Sequence, residues 1–194
     1  MKSTYQKRRS DDIIKMAYPV FSENGYANVT MKMIMEYTGL SRGGLYAHFG
    51  SVEDLFVSVL EYDDQRIIEE LSAFDTSQSI LSQFEQWILT IISNERMQHH
   101  SLTKAKSEFL TAHNNEYLQN REAYLEETLL NILKEALNRN EIDGNLDLKN
   151  YVSFMIASMN GVMLYTHLKP MSEKDFNRVS QFLIEALLKP LKGE

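Results

Sequence analysis

Between Ser41 and Phe49 the chain reads SRGGLYAHF, which puts an arginine, two glycines, a tyrosine and a histidine in one short stretch. Each of these residue types has a use against a polyanion. Arg42 carries a planar fork of donors that suits guanine or phosphate oxygens. Gly43 and Gly44 would each cost a helix about 1 kcal/mol relative to alanine. A helix that keeps them gains from having no side chains there, because its backbone can approach a partner closely. Elsewhere the polar chemistry is thin. His99 and His100 are adjacent, so on a helix their rings point about 100° apart. His113 completes no H-x3-H or HExxH spacing, and cysteine is absent, so no metal site is expected. No G-x-S-x-G, Walker loop or dinucleotide fingerprint occurs, which leaves no expected catalytic residue and no expected cofactor. Glu108 could meet a cationic ligand, although a solvated helix face accounts for it more simply.

The elements that must hold SRGGLYAHF read as helices throughout. Apolar residues recur at i, i+3, i+4 and i+7 in nearly every window, with three prolines and eight glycines in the chain and no period-two stretch, which argues for an all-α protein. A first helix is predicted from Ser10 to Asn24, with Ser10 as its cap, Asp11 and Asp12 in its first turn, and a bend at Pro19. Thr30 caps a second helix that runs to Thr38, and Gly39 ends it in the left-handed position. Ser41 caps a short third helix. Ser51, with Asp54 three residues on, opens a long fourth helix that reaches about Leu71. Helix, glycine turn, short helix is the helix-turn-helix layout, whose second helix enters the DNA major groove N-terminus first. Beyond DTSQS the pattern becomes a larger bundle: a strongly apolar helix from Ile80, a long one from Asn115 to about Asn140, another from Asp147 to about His167, and a last one from Ser172.

Charge is distributed to match. The chain carries −7 overall, yet residues 1–50 hold seven Lys or Arg against four acids, so the rest carries −10. A basic end meets a polyanion while an acidic body is repelled by it. The polar, basic N-terminus has no apolar segment behind it, and no later run reaches the roughly 18 apolar residues of a membrane span. Without cysteine no disulfide framework is available. The expectation is a cytoplasmic protein with no membrane partner.

The run from Ile14 to Phe56 resembles the DNA-binding head of the tetracycline-repressor (TetR) family of bacterial transcriptional regulators. The matching residues are Ala17 and Phe21 in helix one, Gly25-Tyr26, Thr30, Gly39-Leu40-Ser41, Tyr46-Ala47-His48-Phe49 and Glu53-Asp54-Leu55-Phe56. The resemblance implies an all-α fold in which an N-terminal helix-turn-helix head, residues 1–52, is joined by a long helix to a C-terminal ligand-binding and dimerisation bundle, residues 53–194. It also implies DNA-contacting roles. Tyr46 and His48 would seat the third helix on phosphate, Arg42, Gly43 and Gly44 would face bases, and Lys32 would face base or phosphate. Thr30 and Ser41 would cap helices and reach phosphate, and Leu45 and Phe49 would belong to the head's core. Two positions depart from the family pattern: Val52 stands where a phosphate-reaching Lys is usual, and Met35 where Ala is usual. Lys7, Arg8 and Arg9, in an N-terminal arm, could restore the missing charge.

A head this small covers half a site, so symmetric pairing is expected on a palindromic operator of double-stranded DNA. The last two helices are too apolar to be buried by one chain. A homodimer surface is expected from Tyr151, Met155, Ile156, Met159, Val162, Met163, Phe176, Val179, Phe182 and Leu183. The resemblance further implies a chamber for a small-molecule effector. Aromatic and methionine side chains there suit a flat or apolar ligand: Phe84, Trp87, Ile88, Met97, Phe109, Leu110, Tyr117, Tyr124, Met155 and Met159. The reading is a TetR-type regulator, a repressor by family habit, released by its effector. The competing reading, prompted by Val52 and the acidic total, is a helical effector-sensing or protein-interaction module without DNA binding.

Overall fold

A computed structural model describes residues 4–92, 102–112, 116–169 and 171–193. Among the described residues the chain is all-α, with nine α-helices: α1 (Thr4–Asn24), α2 (Met31–Thr38), α3 (Arg42–Tyr46), α4 (Val52–Ser72), α5 (Ile80–Ile92), α6 (Thr103–Ala112), α7 (Glu116–Asn138), α8 (Leu148–Leu168) and α9 (Glu173–Leu188). A 3-10 turn over Pro190–Lys192 follows.

The caps legible in the sequence form as side-chain hydrogen bonds. Thr30 accepts from the N–H of Met33, Ser41 from Gly44, Ser51 from Asp54 and Ser172 from Asp175. Asp147 caps α8 by accepting from Asn150. Gly39 takes φ 69°, the left-handed value that ends α2. The start of α1 differs from expectation: the helix begins at Thr4, so Ser10 is interior to it and Asp11 and Asp12 do not lie in its first turn. Gln6, Lys7, Arg8 and Arg9 are good helix formers and carry the helix back, while the Ser10 hydroxyl is committed elsewhere, to His48. Pro19 sits inside α1 without ending it.

The chain divides into two compact units. Unit 1 comprises the described residues of Met1–Ile67 and Leu102–Asn114; unit 2 comprises those of Ile68–Ser101 and Asn115–Glu194. Unit 1 is therefore discontinuous, with α6 packed on α1 although about 80 residues separate them in sequence. Its centre is an aromatic cluster in which Phe56 meets Phe21, Tyr26 and Phe109 at ring-centroid distances of 4.8, 5.0 and 5.2 Å. Ile13, Ala17, Ile34, Leu45, Leu55 and Val59 complete the core with no exposed surface. In unit 2, α5 packs on α7 and α9, and α8 on α7 and α9. Its interior is Phe84, Ile88, Leu133, Ala136, Met155, Leu187 and Leu191, all fully buried. No described helix is long and apolar enough to cross a membrane.

Candidate nucleic-acid interface

The helix-turn-helix is α2, the Gly39 turn and α3. Ile34 and Leu45 are fully buried and Phe49 nearly so, which anchors both helices in the core of unit 1 from one side, with α2 packed on α1. The opposite side carries Lys32, Arg42, Gly43 and Tyr46, all exposed. At Gly43 an added Cβ would meet nothing within 4 Å, so the backbone there is bare toward its surroundings. At Gly44 the nearest atom would be Ser41 Oγ at 3.2 Å, the hydroxyl that caps the helix. Neither glycine has the positive φ that would demand glycine for conformational reasons. What they supply is the absence of a side chain.

The charged and polar groups around this bare turn are lightly tethered. The Arg42 guanidinium lies 5.6 Å from the centre of the Tyr46 ring. That cation–π contact orients the fork without occupying its donors. Lys32 pairs with Glu36 at 3.6 Å, both well exposed, an arrangement worth at most about 1 kcal/mol that a phosphate can displace. His48 is held more firmly, since Nδ1 shares a 2.8 Å hydrogen bond with Ser10 Oγ of α1. Its Nε2 has no partner among the described residues. Thr30 and Ser41 have exposed positions, but their oxygens already accept the cap bonds. Val52 is half-buried at the first position of α4, and Arg8 and Arg9 are exposed side chains on α1 rather than on an arm. Lys7 lies within α1, with its side chain outside the described residues.

Three features of unit 1 have little or no signal in the sequence. Ser10 as the partner of His48 is one. The second is the grip of α6 on the α1–α2 turn: Glu108 Oε2 accepts from the Ala27 N–H at 2.8 Å, and Lys104 Nζ donates to the Asn24 carbonyl at 3.3 Å. Gly25, φ 77°, sits under that carboxylate, and a Cβ there would lie 2.5 Å from Glu108 Oε2. Glu108 thus serves the head's own architecture. The third is the Asp63 cluster. This buried carboxylate on α4 accepts from Tyr18 (3.1 Å) and Arg66 (2.9 Å), with Lys106 of α6 at 3.9 Å. Burial, reinforced by Asp63, pushes the Tyr18 phenol above its ordinary pKa, so it stays a donor. Asp63 did leave a trace, as an acid on the apolar stripe of Val59 and Leu60.

The expected effector-lining residues are divided between the two units. Phe84, Trp87 and Ile88 on α5 and Met155 and Met159 on α8 are buried in unit 2, while Tyr124 on α7 is exposed. Phe109 and Leu110 belong to unit 1, where Phe109 is committed to the aromatic cluster and Leu110 is exposed. Met97 lies outside the described residues, as do His99, His100, His113 and the side chain of Tyr117. Of the expected pairing residues, Tyr151, Met155, Met159, Phe176 and Leu183 are interior to the protomer, with Tyr151 donating to the Leu187 carbonyl at 2.6 Å. Ile156, Val162, Met163 and Val179 are half-buried, and Phe182 is 76 % exposed. Among the described residues no three His, Asp or Glu side chains gather as a metal site would require.

A short, side-chain-poor second helix presented beside exposed cations defines a helix-turn-helix DNA-binding protein. Residues 13–59 match the family model described as bacterial regulatory proteins, tetR family, and residues 83–177 that of the tetracyclin repressor-like C-terminal domain. The chain belongs to the TetR family of transcriptional regulators, and its function is DNA-binding regulation of transcription rather than catalysis. It is similar to the uncharacterized HTH-type transcriptional regulator YfiR of Bacillus subtilis, 25 % identical over 82 % of this chain and 80 % of that one. The HTH-type transcriptional repressor AcnR of Corynebacterium glutamicum is 38 % identical, but over 31 % of this chain and 32 % of its own. A TetR-family transcriptional regulator from Cytophaga hutchinsonii shares the fold over 100 % of both chains, with a TM-score of 0.72 at 17 % identity. As in the family generally, the N-terminal part binds operator DNA and the C-terminal part is the effector-binding domain.

Proposed function

We propose that the chain is a cytoplasmic repressor that binds a palindromic operator as a homodimer and leaves it when a small aromatic or apolar effector binds. Residues 1–52 read DNA, and residues 53–194 hold the effector and the pairing surface. Within the head, Arg42 reads a base edge and the bare turn at Gly43 and Gly44 lets α3 lie close in the major groove. Tyr46, His48 and Lys32 hold the phosphates, while Thr30 and Ser41 keep the two helix starts in register with them. The observation that carries this reading is the open space at Gly43 beside an Arg42 that has no carboxylate partner among the described residues. The name of AcnR, a repressor, supports the sign of regulation.

Pairing uses the apolar side chains that one protomer leaves uncovered on α8 and α9, with Phe182 at the centre. Effector binding then favours a state whose heads no longer fit two half-sites. For a typical coupling of 1–3 kcal/mol, operator affinity falls about 5- to 150-fold. The test is a gel shift on the palindrome-bearing region upstream of the gene. Specific retardation with a steep salt dependence is expected, whereas no retardation at low salt would overturn the reading. Mass spectrometry of small molecules that co-purify with the protein identifies the effector.

A further inference from the structure

Trp87, the single tryptophan of the chain, is 8 % exposed on α5, and its indole N–H has no hydrogen-bond partner among the described residues. The indole is a donor only, and buried tryptophans ordinarily find an acceptor because an unmet donor carries its full desolvation cost. Ser180 on α9, which packs on α5, also has a buried oxygen with no partner among the described residues. A hydroxyl can rotate toward its own helix, but the indole N–H is fixed by its ring, so Trp87 is the more telling group. That ring is fixed in turn by Phe84, fully buried and stacked at 5.7 Å with 27° between the planes. The pair is a buried aromatic stack with one donor unmet among the described residues, within the part of the chain that matches the tetracyclin repressor-like C-terminal domain.

We propose that the Trp87 N–H donates to an acceptor oxygen of the effector, which makes that effector a flat aromatic molecule bearing a carbonyl-type oxygen. The inference rests on the effector reading above and specifies its chemistry. A flat ring laid against Trp87 extends the stack that Phe84 begins from within the core, and the hydrogen bond selects those that offer an acceptor at the indole edge.

Two probes differ in this respect alone: 9-fluorenone has a carbonyl where fluorene has a methylene. Equilibrium dialysis of the full chain against each is expected to show fluorenone bound about three- to tenfold more tightly, the worth of one hydrogen bond. Trp87→Phe keeps an aromatic ring without the donor and is expected to bring the two probes to equal affinity. Phe84→Leu removes the ring that backs Trp87 and is expected to lower both affinities while leaving their ratio unchanged. In the wild type, fluorenone should also alter the emission of the one tryptophan. Equal binding of both probes to the wild type, or a preference that survives in Trp87→Phe, overturns the proposal, and the wild-type ratio decides even where a variant fails to fold. If flat aromatic cations lacking an acceptor bind and release operator DNA while fluorenone does not, this inference falls and the effector reading stands. If no flat aromatic probe binds or releases operator DNA, both fall.

Discussion

Gly43 separates two reasons for keeping a glycine. Its φ is ordinary and an added Cβ would touch nothing, so within the folded chain alanine would fit and would favour the helix by up to about 1 kcal/mol. Gly43→Ala is therefore expected to melt at the same or a slightly higher temperature and yet to bind operator more weakly, as gel shift and thermal unfolding would show together. A fall in both would mean that the glycine serves the fold. Arg42 and His48 divide along another line. Arg42→Ala is expected to relax preference at one base position, costing about 1–3 kcal/mol on the best site, because its fork is free to read an edge. His48→Ala should weaken all sequences about alike, since the imidazole is braced on Ser10 and has one nitrogen left for phosphate. Binding to a set of operators with single-base changes measures both; equal losses on every sequence for the two variants would refute the division.

Among the elements, α6 is the one the sequence hides. ERMQHHSLTKAKSEFLTAH reads only as a less regular piece between a strongly apolar helix and a long one, and Phe109 reads as a lining residue of the effector chamber rather than as part of the head's core. That α6 joins α1 rather than the bundle depends on contacts about 80 residues away, for which periodicity carries no information. The caps Thr30, Ser41, Ser51 and Ser172, by contrast, were legible because capping is settled within four residues. The start of α1 was not, because Ser10 is drawn off by His48, a tertiary contact that local propensity does not contain. The α6 grip has a measurable consequence. Gly25→Ala must both adopt φ 77° and push Glu108 off the Ala27 N–H, and is expected to destabilise the fold by roughly 1–2 kcal/mol or more. In a Glu108→Ala background the second cost is absent, so the double-mutant cycle should show coupling, with the strained φ remaining. Additive losses in thermal unfolding would remove Glu108 from the turn. Within unit 2, Glu141 ties the start of α5 by accepting from the Leu81 N–H and the Ser79 hydroxyl. Burial raises its pKa, but these bonds and Arg139 together outweigh that and hold it below the ordinary glutamate value. Its stabilisation is therefore present above the unfolded pKa and lost as pH falls through the folded one. Unfolding followed on an acid series should show this loss in the wild type, and Glu141→Gln should flatten it.

For the whole molecule, the exposed aromatic on α9 gives the clean probe of assembly. Phe182 contributes little to the protomer's own interior, so Phe182→Asp is expected to leave the protomer folded while sedimentation shifts from dimer to monomer and operator affinity falls. The same charge at Met159, which is buried, would damage the fold and test nothing about pairing. An unchanged sedimentation profile for Phe182→Asp would place the pairing surface elsewhere.

The discontinuity of unit 1 also bears on how the protein is made. A ribosome that has released the first 72 residues has delivered every residue expected to touch DNA, but not Phe109, whose ring closes the aromatic cluster against Tyr26 and Phe56, nor Glu108, which pins the turn before α2. Until synthesis passes residue 112 the nascent head keeps an uncovered aromatic face. A message cut short before that point would yield a fragment with the reading residues and an incomplete core, so premature products are poorly equipped to compete with the finished regulator for its operator.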